Sequence, residues 1–295
     1  MRHYTKFFMV VSSVLLSSTL IAQDFNARSP NAGEQRPAFE GQTRAPVLKD
    51  MTQLEVQVVA DGLEHPWGMV QLPDGRWLVT ERPGRLRIVD EQGRVSDPIA
   101  GLPPVDARGQ GGLLDVVVQP DFEQTRQVWW SYAEPQSKGE NATAVATGLL
   151  SADETRLEQV KVIFQQKPAW DSTLHFGSRL VFDREGLLFV TTGERSHRSA
   201  RVLAQDASTH IGKVLRIHPQ GQAWDNAIGI EGALPEIWSY GHRNVQGAAL
   251  DAKGQLWTRE HGPREVDELN RPQPGLNYGW PVISYGTDYS DFDVQ

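Results

Sequence analysis

The stretch Phe176-Gly177-Ser178-Arg179-Leu180-Val181-Phe182-Asp183-Arg184-Glu185-Gly186-Leu187-Leu188-Phe189-Val190-Thr191-Thr192-Gly193-Glu194 contains a short apolar strand, a turn ending in glycine, a second apolar strand and an acidic residue. Two β-strands joined by a tight hairpin are the expected structure. Aspartate and glycine at the turn tolerate the positive φ that such hairpins need. The same order recurs upstream in Trp67-Gly68-Met69-Val70-Gln71-Leu72-Pro73-Asp74-Gly75-Arg76-Trp77-Leu78-Val79-Thr80-Glu81 and downstream in residues 246–260. A divergent copy occupies residues 111–122 and continues through Val128-Trp129-Trp130-Ser131-Tyr132. Aligning Gly68, Gly112, Gly177 and Gly247 gives separations of 44, 65 and 70 residues. A four-stranded propeller blade takes about 40–50 residues, so the first interval fits directly and the others require inserted loops. Short strands between glycine-rich turns also suit a sandwich, but repetition of the whole unit favours an all-β propeller. Helix is expected only as a turn or two within residues 200–208.

Outside the repeats, Arg2, His3 and Lys6 precede an uncharged stretch over residues 7–21 that ends at Ala22. This is shorter than the roughly 20 apolar residues of a membrane span and has the form of a secretory signal peptide over residues 1–22. Residues 23–50 are polar and proline-containing and read as a flexible N-terminal segment. Residues 51–295 then form the folded body, with no internal run of membrane-spanning length. The chain has no cysteine, which excludes disulfides, thiolate metal sites and cysteine nucleophiles. An exported protein of this size without disulfides suits a bacterial periplasm. A net charge of -8 argues against nucleic acid and anionic membranes as partners. Asn141-Ala142-Thr143 has the form of a glycosylation sequon, which carries no meaning in a bacterium.

Several polar groups fall at the mouths of the repeats, where propeller loops converge on a central channel. His175 lies immediately before the strand that begins at Gly177, and histidine is the usual general base near neutral pH. His3, His65, His197, His210, His218, His242 and His261 compete with it, and His242 and His261 occupy similar loops. Gly109-Gln110-Gly111-Gly112 lacks the lysine and hydroxyl of a phosphate loop, and reads as a backbone bend that presents Gln110. In Tyr240-Gly241-His242-Arg243-Asn244, Arg243 offers planar donors and Asn244 both a donor and an acceptor. The segment Glu260-His261-Gly262-Pro263-Arg264-Glu265-Val266-Asp267-Glu268 offers the carbonyls and carboxylates that hard cations favour, though without EF-hand spacing.

Taken in order, "GQGGLLDVVVQPDF", "HFGSRLVFDREGLLFVTTGE", "IGKVLRI", "EIWSYGHRNVQG", "EHGPREVDELN" and "GLNYGWP" resemble the soluble aldose sugar dehydrogenases of the glucose/sorbosone dehydrogenase family, which use pyrroloquinoline quinone (PQQ). The resemblance runs from about Leu54 to Tyr289. It implies a six-bladed β-propeller holding PQQ and calcium at the channel mouth, oxidising the C1 hydroxyl of aldose sugars to lactones and passing electrons to a further acceptor. It also implies that His175 is the general base, with Glu194 as its acidic partner, and that Gln110 touches the sugar hydroxyl. Arg243 and Asn244 would hold the quinone oxygens. Gly262 and Pro263 would give carbonyls to the PQQ-linked calcium, while Glu268 and the Tyr278 main chain would match a second calcium site.

The repeats number about four, and the sequence stops at Gln295 before a closing strand and before the basic residues that grip the PQQ carboxylates in that family. The expectation is a six-bladed ring seen through about four of its blades. Two other functions remain open on the residues alone. One is a calcium-dependent sugar lactonase; the other is a non-catalytic propeller that binds sugar or protein.

Overall fold

The computed structural model describes residues 54–264 and 266–284. The expected signal peptide over residues 1–22, the segment 23–50, and residues 285–295 lie outside the described residues. Among the described residues no helix is long and apolar enough to cross a membrane.

Among the described residues fourteen strands form four antiparallel sheets in strict chain order, giving four consecutive propeller blades. The first blade is β1 (Pro66–Gln71), β2 (Trp77–Glu81) and β3 (Arg85–Val89). The second is β4 (Leu113–Val118), β5 (Gln127–Pro135), β6 (Asn141–Leu150) and β7 (Leu157–Gln165). The third is β8 (Gly177–Phe182), β9 (Leu188–Thr192), β10 (Lys213–Ile217) and β11 (Ile237–Tyr240), and the fourth β12 (Val245–Leu250), β13 (Leu256–Glu260) and β14 (Glu268–Asn270). The four expected repeats are these four sheets, and the hairpin glycines Gly75, Gly186 and Gly254 adopt positive φ of 90°, 80° and 81°. Among the described residues helix is confined to α1 (Phe122–Thr125), α2 (Arg198–Arg201) and short 3-10 turns.

The blades stack through apolar faces, and strand alternation decides which residue serves which interface. Trp130 turns toward the first blade and packs with Leu78, Leu86 and Ile88. Its neighbour Trp129 turns the other way, onto Leu188, Val190 and Leu215 of the third blade. Phe189 and Val214 then meet Leu256 of the fourth.

Sheet register corrects the glycine alignment at two of its four positions. Asp115, not Gly112, is the counterpart of Gly68, since its N–H meets the Ser131 hydroxyl as that of Gly68 meets Thr80. Spacing from the hairpin glycines puts Arg179, not Gly177, at the position of Gly68 and Gly247. Gly177 belongs two residues earlier, beside a strand bulge, where a Cβ would approach Thr192 to 2.7 Å. At Gly68 the constraint is the neighbouring blade, because a Cβ would lie 2.7 Å from the Leu114 carbonyl.

A repeated polar latch joins the blades. Thr80, Ser131 and Thr191 lie on the second strand of their blades, opposite an inner-strand bulge. Each hydroxyl donates to an inner-strand carbonyl of the next blade: Leu114 at 2.5 Å, Ser178 at 2.6 Å and Val245 at 2.8 Å, respectively. Each also accepts a backbone N–H from its own blade at 2.9 Å, from Gly68, Asp115 and Arg179. The hydroxyl at each site thus serves both bulge and interface. Replacing Thr191 with valine keeps the shape but leaves a buried donor and acceptor unpaired. We expect a loss of about 1–3 kcal/mol, read as a lower urea midpoint with an unchanged slope.

The innermost strands β1, β4, β8 and β12 are neighbours around the channel, and one side chain reaches all four. Arg179 of β8 lies 4.5 Å from the centroid of the Trp67 ring and pairs with Asp115 at 2.8 Å. It also donates to the Gln246 carbonyl at 3.1 Å. Asp115 accepts from Leu180 N at 2.8 Å as well. Burial pushes its carboxyl up to about 6, against the pull of Arg179.

Candidate active site

Loops on one side of the blades carry the candidate residues. His175 sits in the β7–β8 loop with φ 49°, a left-handed conformation uncommon for a residue with a side chain. Its main-chain N–H donates to Gln110 Oε1 at 2.9 Å, and Gln110 N donates to the Thr173 carbonyl at 2.8 Å. The glycine-rich bend therefore presents Gln110 to the histidine loop, with its amide oxygen already engaged.

Glu194 lies just beyond β9. Gly193 before it must lack a side chain, since a Cβ there would run into the His175 carbonyl. This close approach brings His175 Nδ1 to 2.5 Å from Glu194 Oε1. Glu194 is fully buried, and its Oε2 has no hydrogen-bond partner among the described residues. A carboxylate so placed accepts from Nδ1–H, which leaves the lone pair on Nε2. The His175 side chain is 9% exposed. Burial holds its pKa below the usual value, Glu194 pulls it upward, and Arg243 and Arg195 oppose protonation. We therefore expect the His175 ring signal to titrate below the ordinary histidine value of about 6.5 in an NMR pH series.

The β11–β12 loop supplies the next group. Glu194 N donates to the Arg243 carbonyl at 2.9 Å, and Gly177 N donates to Asn244 Oδ1 at 3.1 Å. Both side chains are buried. Arg243 Nη1 donates to the carbonyls of His261 and Gly262 at 3.0 and 2.9 Å, and its guanidinium lies 5.3 Å from the Trp280 ring centroid. The Asn244 amide oxygen is used within the protein, so its Nδ2 is the end suited to an acceptor. A guanidinium and an amide donor on adjacent residues, in a loop bonded to the His175–Glu194 region, have the donor chemistry that suits quinone oxygens.

For a cation the residues divide into two places. The Gly262 carbonyl accepts from Arg243, and the Pro263 carbonyl accepts from Val266 N at 3.3 Å. Each carbonyl retains a second lone pair. Glu268 faces Glu260 in the β13–β14 register, and burial together with the Glu260 charge raises its carboxyl pKa. A cation beside Glu268 would relieve that repulsion. Tyr278 stacks on His242 at 4.8 Å, and His242 Nδ1 lies 2.9 Å from Glu260. Among the described residues no three His, Asp or Glu side chains converge as a metal cluster.

The nine candidates thus fall along one linked path, from Gln110 through His175, Glu194, Asn244 and Arg243 to the 260–278 segment. Residues 63–295 match the family described as Glucose / Sorbosone dehydrogenase. The chain belongs to the glucose/sorbosone dehydrogenase family. It is similar to the aldose sugar dehydrogenase YliI of Escherichia coli, with 45% identity over 245 residues, 82% of this chain and 65% of that protein. The chain therefore spans just under two thirds of that relative's length. A crystal structure of the Escherichia coli soluble aldose sugar dehydrogenase in the apo form superposes with a TM-score of 0.75 at 46% identity, covering 80% of this chain and 68% of that one. The PQQ-bound aldose sugar dehydrogenase of Streptomyces coelicolor gives 0.67 at 33% identity, covering 78% and 66%. Glucose/sorbosone dehydrogenase membership agrees with the resemblance read from the motifs.

Two parts of this family member's site were not singled out in the sequence. The fully buried His242, noted only as a competitor, forms a second histidine–carboxylate pair with Glu260, and its Nε2 lies 2.8 Å from Ser239 Oγ. The fully buried Arg195 follows Glu194 and binds Asn141, the residue of the apparent sequon, whose side chain is also buried. The repeated acid after each second strand was the available signal for Glu260. For Arg195 there was none, because its partners come from the β5–β6 and β7–β8 regions.

Proposed function

We propose that the protein carrying this chain is a periplasmic PQQ-dependent aldose dehydrogenase in which His175 is the general base. The observation that carries this reading is the buried His175–Glu194 pair at 2.5 Å, which leaves Nε2 directed away from the carboxylate. PQQ, when bound, supplies an ortho-quinone able to accept a hydride. Nε2 of His175 would take the proton of the sugar's C1 hydroxyl while hydride leaves C1, so the sugar loses two electrons and becomes a lactone. Glu194 would hold the ring in the required tautomer and stabilise the imidazolium formed. Gln110 would orient the sugar hydroxyl through its amide N–H. Arg243 and Asn244 would hold quinone oxygens and meet the negative charge that develops there. The Gly262 and Pro263 carbonyls would bind calcium beside the cofactor, and Glu268 with the Tyr278 main chain would bind a second ion. The basic and apolar N-terminal stretch supports export.

The test is dye-linked oxidation of glucose and other aldoses by the purified protein, with PQQ and calcium added separately and together. Sugar-dependent dye reduction that requires PQQ is expected. No reduction at saturating PQQ and calcium would overturn the reading, and lactone hydrolysis without PQQ would replace it.

A further inference from the structure

We propose that Arg195 is the positioning residue of the site: one buried guanidinium grips the histidine loop on both sides of His175 and so sets where the imidazole is presented. This deepens the dehydrogenase reading and rests on His175 as the base.

The grip is built from both flanks. Arg195 Nε donates to the Leu174 carbonyl at 3.1 Å, and Nη2 donates to the Ser172 carbonyl at 2.6 Å. The guanidinium carbon lies 4.0 Å from the centroid of the Phe176 ring, which follows His175. Ser172 returns a bond, its Oγ donating to the Arg195 carbonyl at 2.6 Å. Behind the guanidinium, Nη2 also donates to Asn141 Oδ1 at 2.5 Å, and Asn141 Nδ2 donates to Asp106 at 2.8 Å. The fork is thus anchored to the second blade before it reaches the loop.

Arg195 also follows directly on Glu194, so a single dipeptide holds the ring through Nδ1 and the main chain that carries it. His175, Arg195 and Ser196 all adopt left-handed backbone angles, with φ of 49°, 68° and 46°. Such conformations persist where surrounding contacts over-determine them, and the Arg195 bonds are those contacts. The planar fork is required, because a lysine ammonium cannot bind two separated carbonyls and lie flat on an aromatic ring together.

Arg195 has an electrostatic role too. Burial lowers its pKa only to about 10, so it stays a cation at neutral pH. The charged groups acting on His175 are Glu194, which favours its protonation, and Arg243 and Arg195, which oppose it.

The test uses Arg195→Met, Arg195→Lys and Ser172→Ala in the full chain. For Arg195→Met we expect kcat to fall about 100-fold, as for a displaced catalytic group, with KM for the sugar changed by less than about threefold. The His175 NMR titration midpoint should move upward, since a positive charge has been removed. Arg195→Lys should keep the parental midpoint while kcat stays at least about tenfold low. Ser172→Ala should lower kcat in the same direction with the midpoint unchanged. If Arg195→Met does not fold, the other two variants decide the question. Parental kcat in both Arg195→Lys and Ser172→Ala would overturn the proposal, as would an unmoved midpoint in a folded Arg195→Met. The titration needs no cofactor, so a shifted midpoint in a protein without PQQ-dependent activity would retain the brace and reject the dehydrogenase reading.

Discussion

Replacing His175 with asparagine is expected to lower kcat/KM for aldose oxidation by about 10²–10⁴-fold, the usual contribution of a general base. Asparagine retains a polar group near Glu194 but has no lone pair able to take a proton at neutral pH. Arg243 and Asn244 belong to a different loop, so PQQ affinity should remain within a few-fold of the parent. The pH profile carries a second readout. With His175 as the proposed base, neutral imidazole would be the active form, and burial holds its pKa below the ordinary value. Activity of the parent should therefore fall as pH drops through a midpoint below about 6.5, and this limb should vanish in the asparagine variant. Parental turnover in that variant would remove His175 from the chemistry.

The second large effect concerns the channel. Asp115→Ala leaves Arg179 facing four blades without its carboxylate. Breaking a buried ion pair costs about 3–5 kcal/mol. The lower end is expected here, because the Arg179 side chain keeps some contact with solvent. The pH dependence has a definite sign. The folded pKa of Asp115, about 6, lies above the unfolded value of about 3.9, so the folded state binds its proton more tightly. Its contribution is present in full below about pH 4 and is lost as pH rises through about 6. Urea midpoints of the parent between pH 4 and 7 should contain this falling component, and Asp115→Asn should lack it. An unchanged midpoint for Asp115→Ala would show that Arg179 does not tie the inner strands together.

The repeat was legible because hairpins impose local requirements. Gly75, Gly186 and Gly254 must adopt positive φ, and the strands beside them must alternate between two buried faces. Trp129 and Trp130 could thus be placed on strands before their separate destinations were known. His175, Glu194, Arg243 and Asn244 were also accessible, since each immediately borders a repeat unit. Arg179 and Arg195 were not. Arg195 is a buried cation and Arg179 a half-buried one, both with partners on other blades, and local sequence carries no record of a contact made across 54 or 64 positions, as with Arg195 to Asn141 and Arg179 to Asp115. The glycine alignment failed by three residues at Gly112 and by two at Gly177 for a different reason. The strand bulge recurs at the same place in every blade, so it left the repeat spacing intact; matching glycine to glycine, rather than counting back from the hairpin glycine, produced the offset.

The hydroxyl latch has an evolutionary consequence. Thr80, Ser131 and Thr191 all lie on second strands, and the carbonyls they reach lie on first strands. Attachment of one blade to the next therefore engages the inner half of each sheet. The outer half is free to diversify, and the second blade has done so: β6 and β7 run to 10 and 9 residues, against 5 and 4 in β10 and β11. A lineage can lengthen rim strands or insert loops between them while the inner strands, and the mouths that carry His175 and Asn244, keep their places.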